Sequence, residues 1–138
     1  MRDPYSDRRP PYSEEAEQAV LSAMLIDQDA VLRAVEHVDD TMFYAERHRR
    51  IFRAMVTITE RGSVVDPLTV SEELYRRGEL EASGGKEYIG FLVDAVPTAA
   101  NIEYHARIVR EKAILRRLID VETSMSRRRI AFSRTMRA

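Results

Sequence analysis

The spacing of apolar residues along the chain predicts helices throughout. Between residues 43 and 61 apolar side chains recur every three to four positions, and Gly62 stands where a left-handed C-cap ends a helix. The side chains predicted to face inward from this helix are Tyr44, Ile51, Phe52, Met55 and Ile58. No segment shows the sustained alternation of a strand bounded by hairpin turns. The fold class predicted is all-α, a compact bundle of about six helices ending in a long C-terminal helix.

Capping residues place the helices on either side. Ser13 is the predicted N-cap of a helix that starts at Glu14, and a second helix is predicted over residues 29–38. Their predicted inward residues are Ala16, Val20, Ala23 and Met24 in the first helix and Ala30, Val31, Ala34 and Val35 in the second. The run 39–41 is the predicted break after them.

Two further helices are marked by Pro and Gly. Asp66 followed by Pro67 predicts a helix start, and Gly78 closes that segment about three turns later. A helix of about ten residues should follow the loop 81–85 and stop before Pro97. The residues expected to be buried are Val70 and Leu74 in the first of these helices and Tyr88, Leu92 and Ala95 in the second.

The long last helix, capped by Asn101, carries more apolar surface than one packing face needs. One stripe holds Ile102, Ala106, Val109 and Ala113, and a second set, Ile114, Leu118, Val121 and Met125, has the 4, 3, 4 spacing of a coiled-coil seam. We therefore predict a helix-to-helix interface, with ordinary core packing of the first two turns as the alternative. The predicted interface residues are Ile102, Tyr104, His105, Ile108, Val109, Leu115 and Leu118.

Length, proline and charge divide the chain. Its 138 residues, 44% of them hydrophobic, fit one domain, predicted over residues 13–123. Residues 1–12 hold three of the five prolines and are expected to be a disordered leader. Residues 124–138 form a basic tail expected to lie outside any family pattern or to be disordered. Residues 1–125 carry a net charge of -6, and the five Arg after them carry +5. The overall net charge of -1 is therefore the sum of a negative body and a positive tail.

No catalytic, cofactor-binding or metal-binding residue is predicted. The chain has no Cys, and neither of its two lysines ends a phosphate-binding glycine loop. His37, His48 and His105 fall in separate helices without a ligand-like spacing, and each is interpreted as a surface or interface histidine. No apolar run is long enough to cross a membrane.

Arginines supply the only candidate nucleic-acid surface. Arg47, Arg49, Arg50 and Arg53 are candidate phosphate-contacting residues, with a solvated helix face as the alternative. The arginines of the tail could also contact nucleic acid or belong to a disordered segment.

Several motifs, taken in order, resemble the N-terminal domain of DnaB-type bacterial replicative DNA helicases. They are the run 13–21 (SEEAEQAVL), Phe43-Tyr44 with His48 and Ile51-Phe52, Asp66 with Thr69, Gly84-Gly85 before Tyr88, and the run 97–104 (PTAANIEY) leading into 108–112 (IVREK). The resemblance spans residues 13 to 120 without a large gap.

The resemblance implies an all-helical domain that joins a hexameric ring as a trimer of dimers, paired through a helical hairpin whose first arm is the long helix. It further implies docking of a DnaG-type primase, a loader as a further partner, and DNA contacts through a separate C-terminal domain that binds ATP and magnesium. The implied location is the bacterial cytoplasm, at the nucleoid. This chain alone, which has no P-loop, is expected to be inactive as a helicase.

The resemblance fails at the end of the chain. Residues 124–138 do not resemble the acidic, leucine-bearing second arm of the family's hairpin. A truncated paralogue that regulates the helicase ring and a free-standing nucleic-acid-binding domain therefore stand as alternative functions.

Overall fold

A computed structural model describes the backbone of residues 10–136 and the side chains of residues 10–129. Within these residues the chain forms helices and no strand, which confirms the predicted all-α class. The elements are α1 (Glu14–Ile26), α2 (Gln28–Val35), a 3-10 helix (Asp40–Met42), α3 (Glu46–Glu60), α4 (Pro67–Arg76), α5 (Gly85–Val93) and α6 (Ile102–Met136). None of these helices combines the length and apolar character needed to cross a lipid bilayer.

Local capping explains where two helices begin, as predicted. The hydroxyl of Ser13 accepts from the amide of Ala16 at 3.1 Å at the start of α1. At the start of α4 the Asp66 carboxylate accepts from the Thr69 amide at 2.8 Å, and the Thr69 hydroxyl accepts from the Asp66 amide at 3.0 Å. Such a capping box satisfies amides that the helix itself leaves without partners.

Three helices have boundaries that differ from the prediction. The cap of α2 is Asp27, whose carboxylate accepts from the Asp29 amide, so this helix runs from Gln28 to Val35 and not over 29–38. Helix α3 starts at Glu46 and not at residue 43. Helix α5 ends at Val93, four residues before the proline expected to stop it.

Three side chains predicted to face inward are exposed. Tyr44 precedes α3 and is 38% exposed, and Ala95 follows the end of α5. Val35, at the last turn of α2, is 43% exposed. The other predicted inward residues of α1 to α4 are buried, and in α5 Leu92 is buried and Tyr88 half-buried.

Helix α1 is the central element of the core. Every residue from 19 to 25 is buried, because α2, α3, α5 and α6 all pack on this helix. The buried stripe of α6, formed by Ile102, Ala106, Val109 and Ala113, closes the core on one side, which was the alternative to an interface in the first turns of this helix.

Beyond Ala113, α6 leaves the body and continues as a helix through Met136. Every residue from 117 to 129 is exposed. The tail was predicted to lie outside the family pattern or to be disordered, and the backbone of its residues 124–136 is helical. No Pro or Gly interrupts α6, and Arg is a good helix former.

The N-terminal boundary also differs from the prediction. The predicted disordered leader lies outside the described residues as far as residue 9. Its last part is packed, because the Tyr12 ring stacks on the Tyr44 ring with centroids 4.4 Å apart. The Pro11 carbonyl accepts a hydrogen bond from Arg116 at 2.7 Å. The packed chain therefore begins before Ser13.

Candidate functional site

Large apolar side chains cover the sides of α6 that do not face the core. We call this surface the α6 outer face; its exposed members are Tyr104, Ile114, Leu115, Leu118, Ile119, Val121 and Met125. Tyr104 and Leu118 are 63% and 60% exposed. Large contiguous apolar patches are uncommon on the surface of monomeric soluble domains.

The α6 outer face consists of two stripes. The seam, formed by Ile114, Leu118, Val121 and Met125, lies about 100° around the helix axis from the line of Tyr104, Leu115 and Ile119, given 100° per residue. Ile119 was not among the predicted interface residues, although its spacing of four from Leu115 signals the same line. A single straight helix covers one stripe, so the two stripes fit contact with more than one helix.

Some predicted interface residues belong to the body instead. Ile102 and Val109 are 1% and 2% exposed and form part of the chain's own core, so their prediction as interface residues is wrong. Ile108 is half-buried and packs against the same core, and His105 is half-buried as well. The alternative of core packing therefore holds for one stripe of the first turns.

The four candidate phosphate-contacting arginines all have partners within the chain. Three of them pair with carboxylates: Arg47 with Glu14 at 2.8 Å, Arg50 with Glu46 at 2.9 Å and Arg53 with Asp40 at 2.8 Å. Arg49 donates to the carbonyls of Phe43 and Tyr44, both at 3.0 Å. A phosphate would have to compete with these partners, so the arrangement favours the solvated-face interpretation.

A buried polar network joins α1, α3 and α5. The Glu17 carboxylate accepts from the Tyr44 amide at 2.7 Å, the Ala45 amide at 3.3 Å and His48 Nδ1 at 2.7 Å. Ala45, the N-cap of α3, has no side-chain oxygen, so a residue from another helix caps α3. Glu17 is 2% exposed and His48 is fully buried.

Tyr88 completes this network. Its hydroxyl lies 2.5 Å from His48 Nε2 and accepts from the Gln18 side-chain amide at 3.2 Å. Burial raises the pKa of Tyr88. Because Glu17 accepts at Nδ1, a neutral His48 carries its proton on Nδ1 and accepts from the Tyr88 hydroxyl at Nε2.

The network stabilises the fold and offers no room for a substrate, since neither Glu17 nor His48 reaches solvent. Interpreting His48 as a surface or interface histidine is therefore wrong. Sequence reasoning missed Glu17 too, because an acid in the first turn of a helix is usually explained by the helix dipole. No group of three His, Asp or Glu side chains within the described part of the chain could hold a metal ion.

Comparison with known proteins assigns the domain. Residues 9–111 match the family model of the DnaB-like helicase N terminal domain. The chain belongs to this family. The replicative DNA helicase DnaB of Geobacillus stearothermophilus is similar to it, with 49% identity over 126 residues, which is 91% of this chain and 28% of that protein. The chain thus spans little more than a quarter of the length of that relative.

Solved structures of the family share this fold. The N-terminal domain of DnaB helicase from Mycobacterium tuberculosis is 41% identical, with a TM-score of 0.85 over 86% of this chain and 83% of that one. The N-terminal domain of DnaB helicase from Helicobacter pylori, described with its interactions with primase, has a TM-score of 0.71 over 83% of this chain and 89% of its own. At 15% sequence identity, this structural similarity shows a shared fold alone.

Proposed function

We propose that this domain acts in oligomerisation and primase docking for a replicative helicase of the DnaB type, during initiation and elongation of DNA replication. In this proposal the domain pairs with further copies, as a dimer or as a trimer of dimers in a hexamer, and binds a DnaG-type primase. ATP, magnesium, DNA and any loader are assigned to the full-length family and not to these residues. The proposed place of action is the bacterial cytoplasm, at the nucleoid.

The α6 outer face carries this proposal. Burying a Leu, Ile, Val or Met side chain contributes about 1.5–3 kcal/mol, so the exposed seam of four such residues gains substantially from a partner helix. The described residues offer no catalytic constellation beside it. A surface of this kind suits assembly and docking.

The spacing of the seam favours a second copy as one partner. The intervals 4, 3, 4 are the same in both directions, so two antiparallel α6 helices around a two-fold axis place Leu118 beside Val121 of the other copy. In the same register Ile114 lies beside Met125, and the exposed Glu111 lies level with Arg128. Each copy then presents the same surface to the other.

Light scattering after size exclusion tests self-association. We expect the unmodified chain to form dimers, and Leu118→Asp to weaken the dimer at least tenfold because a charge replaces an apolar contact. Leu115→Asp, on the other stripe, should weaken contact with a further helix. The matched control is Leu68→Asp on α4, since Leu68 is 64% exposed and lies on another helix.

The results can contradict either half of the proposal. A chain that stays monomeric at high concentration, or dimers equally tight in Leu118→Asp, would exclude pairing through the seam. Primase docking is measured separately by calorimetric titration with the C-terminal domain of a DnaG-type primase. No heat of binding, with correctly folded domains, would remove the docking role.

A further inference from the structure

Arg116 occupies the point at which α6 leaves the body. Its Nη1 donates to the Pro11 carbonyl and its Nη2 to the Met42 carbonyl, both at 2.7 Å. The guanidinium also lies 5.5 Å from the centre of the Tyr44 ring. One side chain of α6 thus holds two separate backbone segments, one before α1 and one at the end of the 3-10 helix.

The charge of Arg116 has no carboxylate partner among the described residues. Burial lowers the pKa of the Arg116 guanidinium from its ordinary value. A partly desolvated cation that is stabilised only by carbonyl dipoles, an aromatic ring and the more distant Glu17 carboxylate costs free energy. The contribution of Arg116 is therefore the position in which it holds the two backbone segments relative to α6.

Aromatic stacking holds the N-terminal segment in place. The Tyr12 ring stacks on the Tyr44 ring with an interplanar angle of 20°, which presents the neighbouring Pro11 carbonyl to Arg116. Pro11, Tyr44 and Arg116 line a groove of about 850 Å³ between the body and α6. Past Arg116, no side chain of α6 as far as residue 129 is buried.

We propose that Arg116 and the segment 10–12 form a clamp that sets the direction in which α6 leaves the body. Twenty residues of helix follow Arg116 to the end of α6, a length of about 30 Å at 1.5 Å per residue. A rotation of about 20° at the clamp would move that end by roughly 10 Å. The clamp consists of contacts within one chain and so does not depend on pairing; if α6 pairs as proposed, the clamp sets the angle between the paired bodies.

Distance measurements between spin labels test the clamp directly. The chain has no Cys, so Glu60→Cys on α3 and Ser124→Cys on α6 place two labels at exposed positions. Labelled chains are diluted into an excess of unlabelled chains, so that only distances within one chain are recorded. This design gives an answer whether or not the chain dimerises.

The expected result is a narrow distance distribution in the otherwise unmodified chain and one at least twice as broad in Arg116→Ala. The matched control is Arg117→Ala, because Arg117 is exposed and its one hydrogen bond in the described chain is a 3.3 Å contact with the Thr41 hydroxyl. Its distribution should stay narrow. Equal widths in Arg116→Ala and the unmodified chain, with native circular dichroism, would overturn the proposal.

Two further variants cover the case in which Arg116→Ala fails to fold. Arg116→Lys keeps the charge but has no fork to bridge both carbonyls, so it should also broaden the distribution. Removal of residues 1–12 takes away the Pro11 carbonyl and Tyr12, and should broaden it to the same extent. A narrow distribution in both variants would equally overturn the clamp.

Discussion

Replacing Glu17 by Ala should lower the free energy of unfolding more than replacing any exposed acid of α1 by Ala. The change removes the acceptor for three donors: the amides of Tyr44 and Ala45 and the ring nitrogen Nδ1 of His48. The Glu17 side chain is 2% exposed, so its removal leaves a cavity, and all three donors lie beside that cavity. The N-terminus of α3 loses its cap at the same time, because Ala45 offers no side-chain oxygen.

The expected loss follows from these contacts. A buried donor left without a partner costs about 1–3 kcal/mol. Water entering the cavity would accept hydrogen bonds from some of these donors. We therefore expect the free energy of unfolding to fall by about 3–5 kcal/mol in total, less than the sum of three separate losses. Glu17→Gln keeps one carbonyl oxygen but turns an amide group towards a donor, so it should lose an intermediate amount.

Urea unfolding followed by far-ultraviolet circular dichroism measures the effect. Glu15→Ala is the matched control, because Glu15 lies in the same first turn and is exposed. It should lose about 0.5 kcal/mol, from the helix dipole alone. If Glu17→Ala fell within 1 kcal/mol of this control, the idea that Glu17 caps α3 would be refuted.

Two further changes test other contacts of the fold. Gly84→Ala should cost more than about 2 kcal/mol, since φ is +99° and a Cβ would lie 2.6 Å from that of Tyr88, whereas Gly62→Ala, at φ +75° in open space, should cost about 1 kcal/mol. Equal losses on urea unfolding would contradict this account. The hydrogen bonds from Arg33 hold the pKa of Glu103 at about 2, whereas the pKa of an unfolded Glu is about 4.3. The stabilisation from these bonds is therefore fully present above the unfolded pKa and is lost as the pH falls towards 2. Thermal unfolding should therefore show the advantage over Glu103→Gln shrinking between about pH 5 and pH 2, and a constant advantage would count against it.

The sequence predicts helices well where their ends are set by neighbouring residues. Asp66, Pro67 and Thr69 lie within one turn, so the start of α4 was found. The start of α3 was missed because its cap, Glu17, lies 27 residues before the first amide it binds. Local rules cannot find a partner that only the packing of α1 against α3 brings close.

The same limit applies to the candidate interface. Helical spacing revealed the apolar stripes of α6, but it could not show which stripe the body covers. Ile102 and Val109 therefore looked equivalent to Leu115 and Leu118, and only the packing against α1 separates them. Arg116 gave no signal at all, because its partners are backbone carbonyls that no residue type encodes.

The course of α6 implies that one continuous helix has two different stabilities. Its amides as far as Ala113 can exchange with solvent only when core contacts break, so their protection follows that of the whole body. Beyond Arg116 the turns as far as residue 129 carry no buried side chain and are held by their own hydrogen bonds, so they open more easily than the turns packed on the body. A partner helix would therefore do more than bind the second half of α6: it would raise the free energy needed to open it.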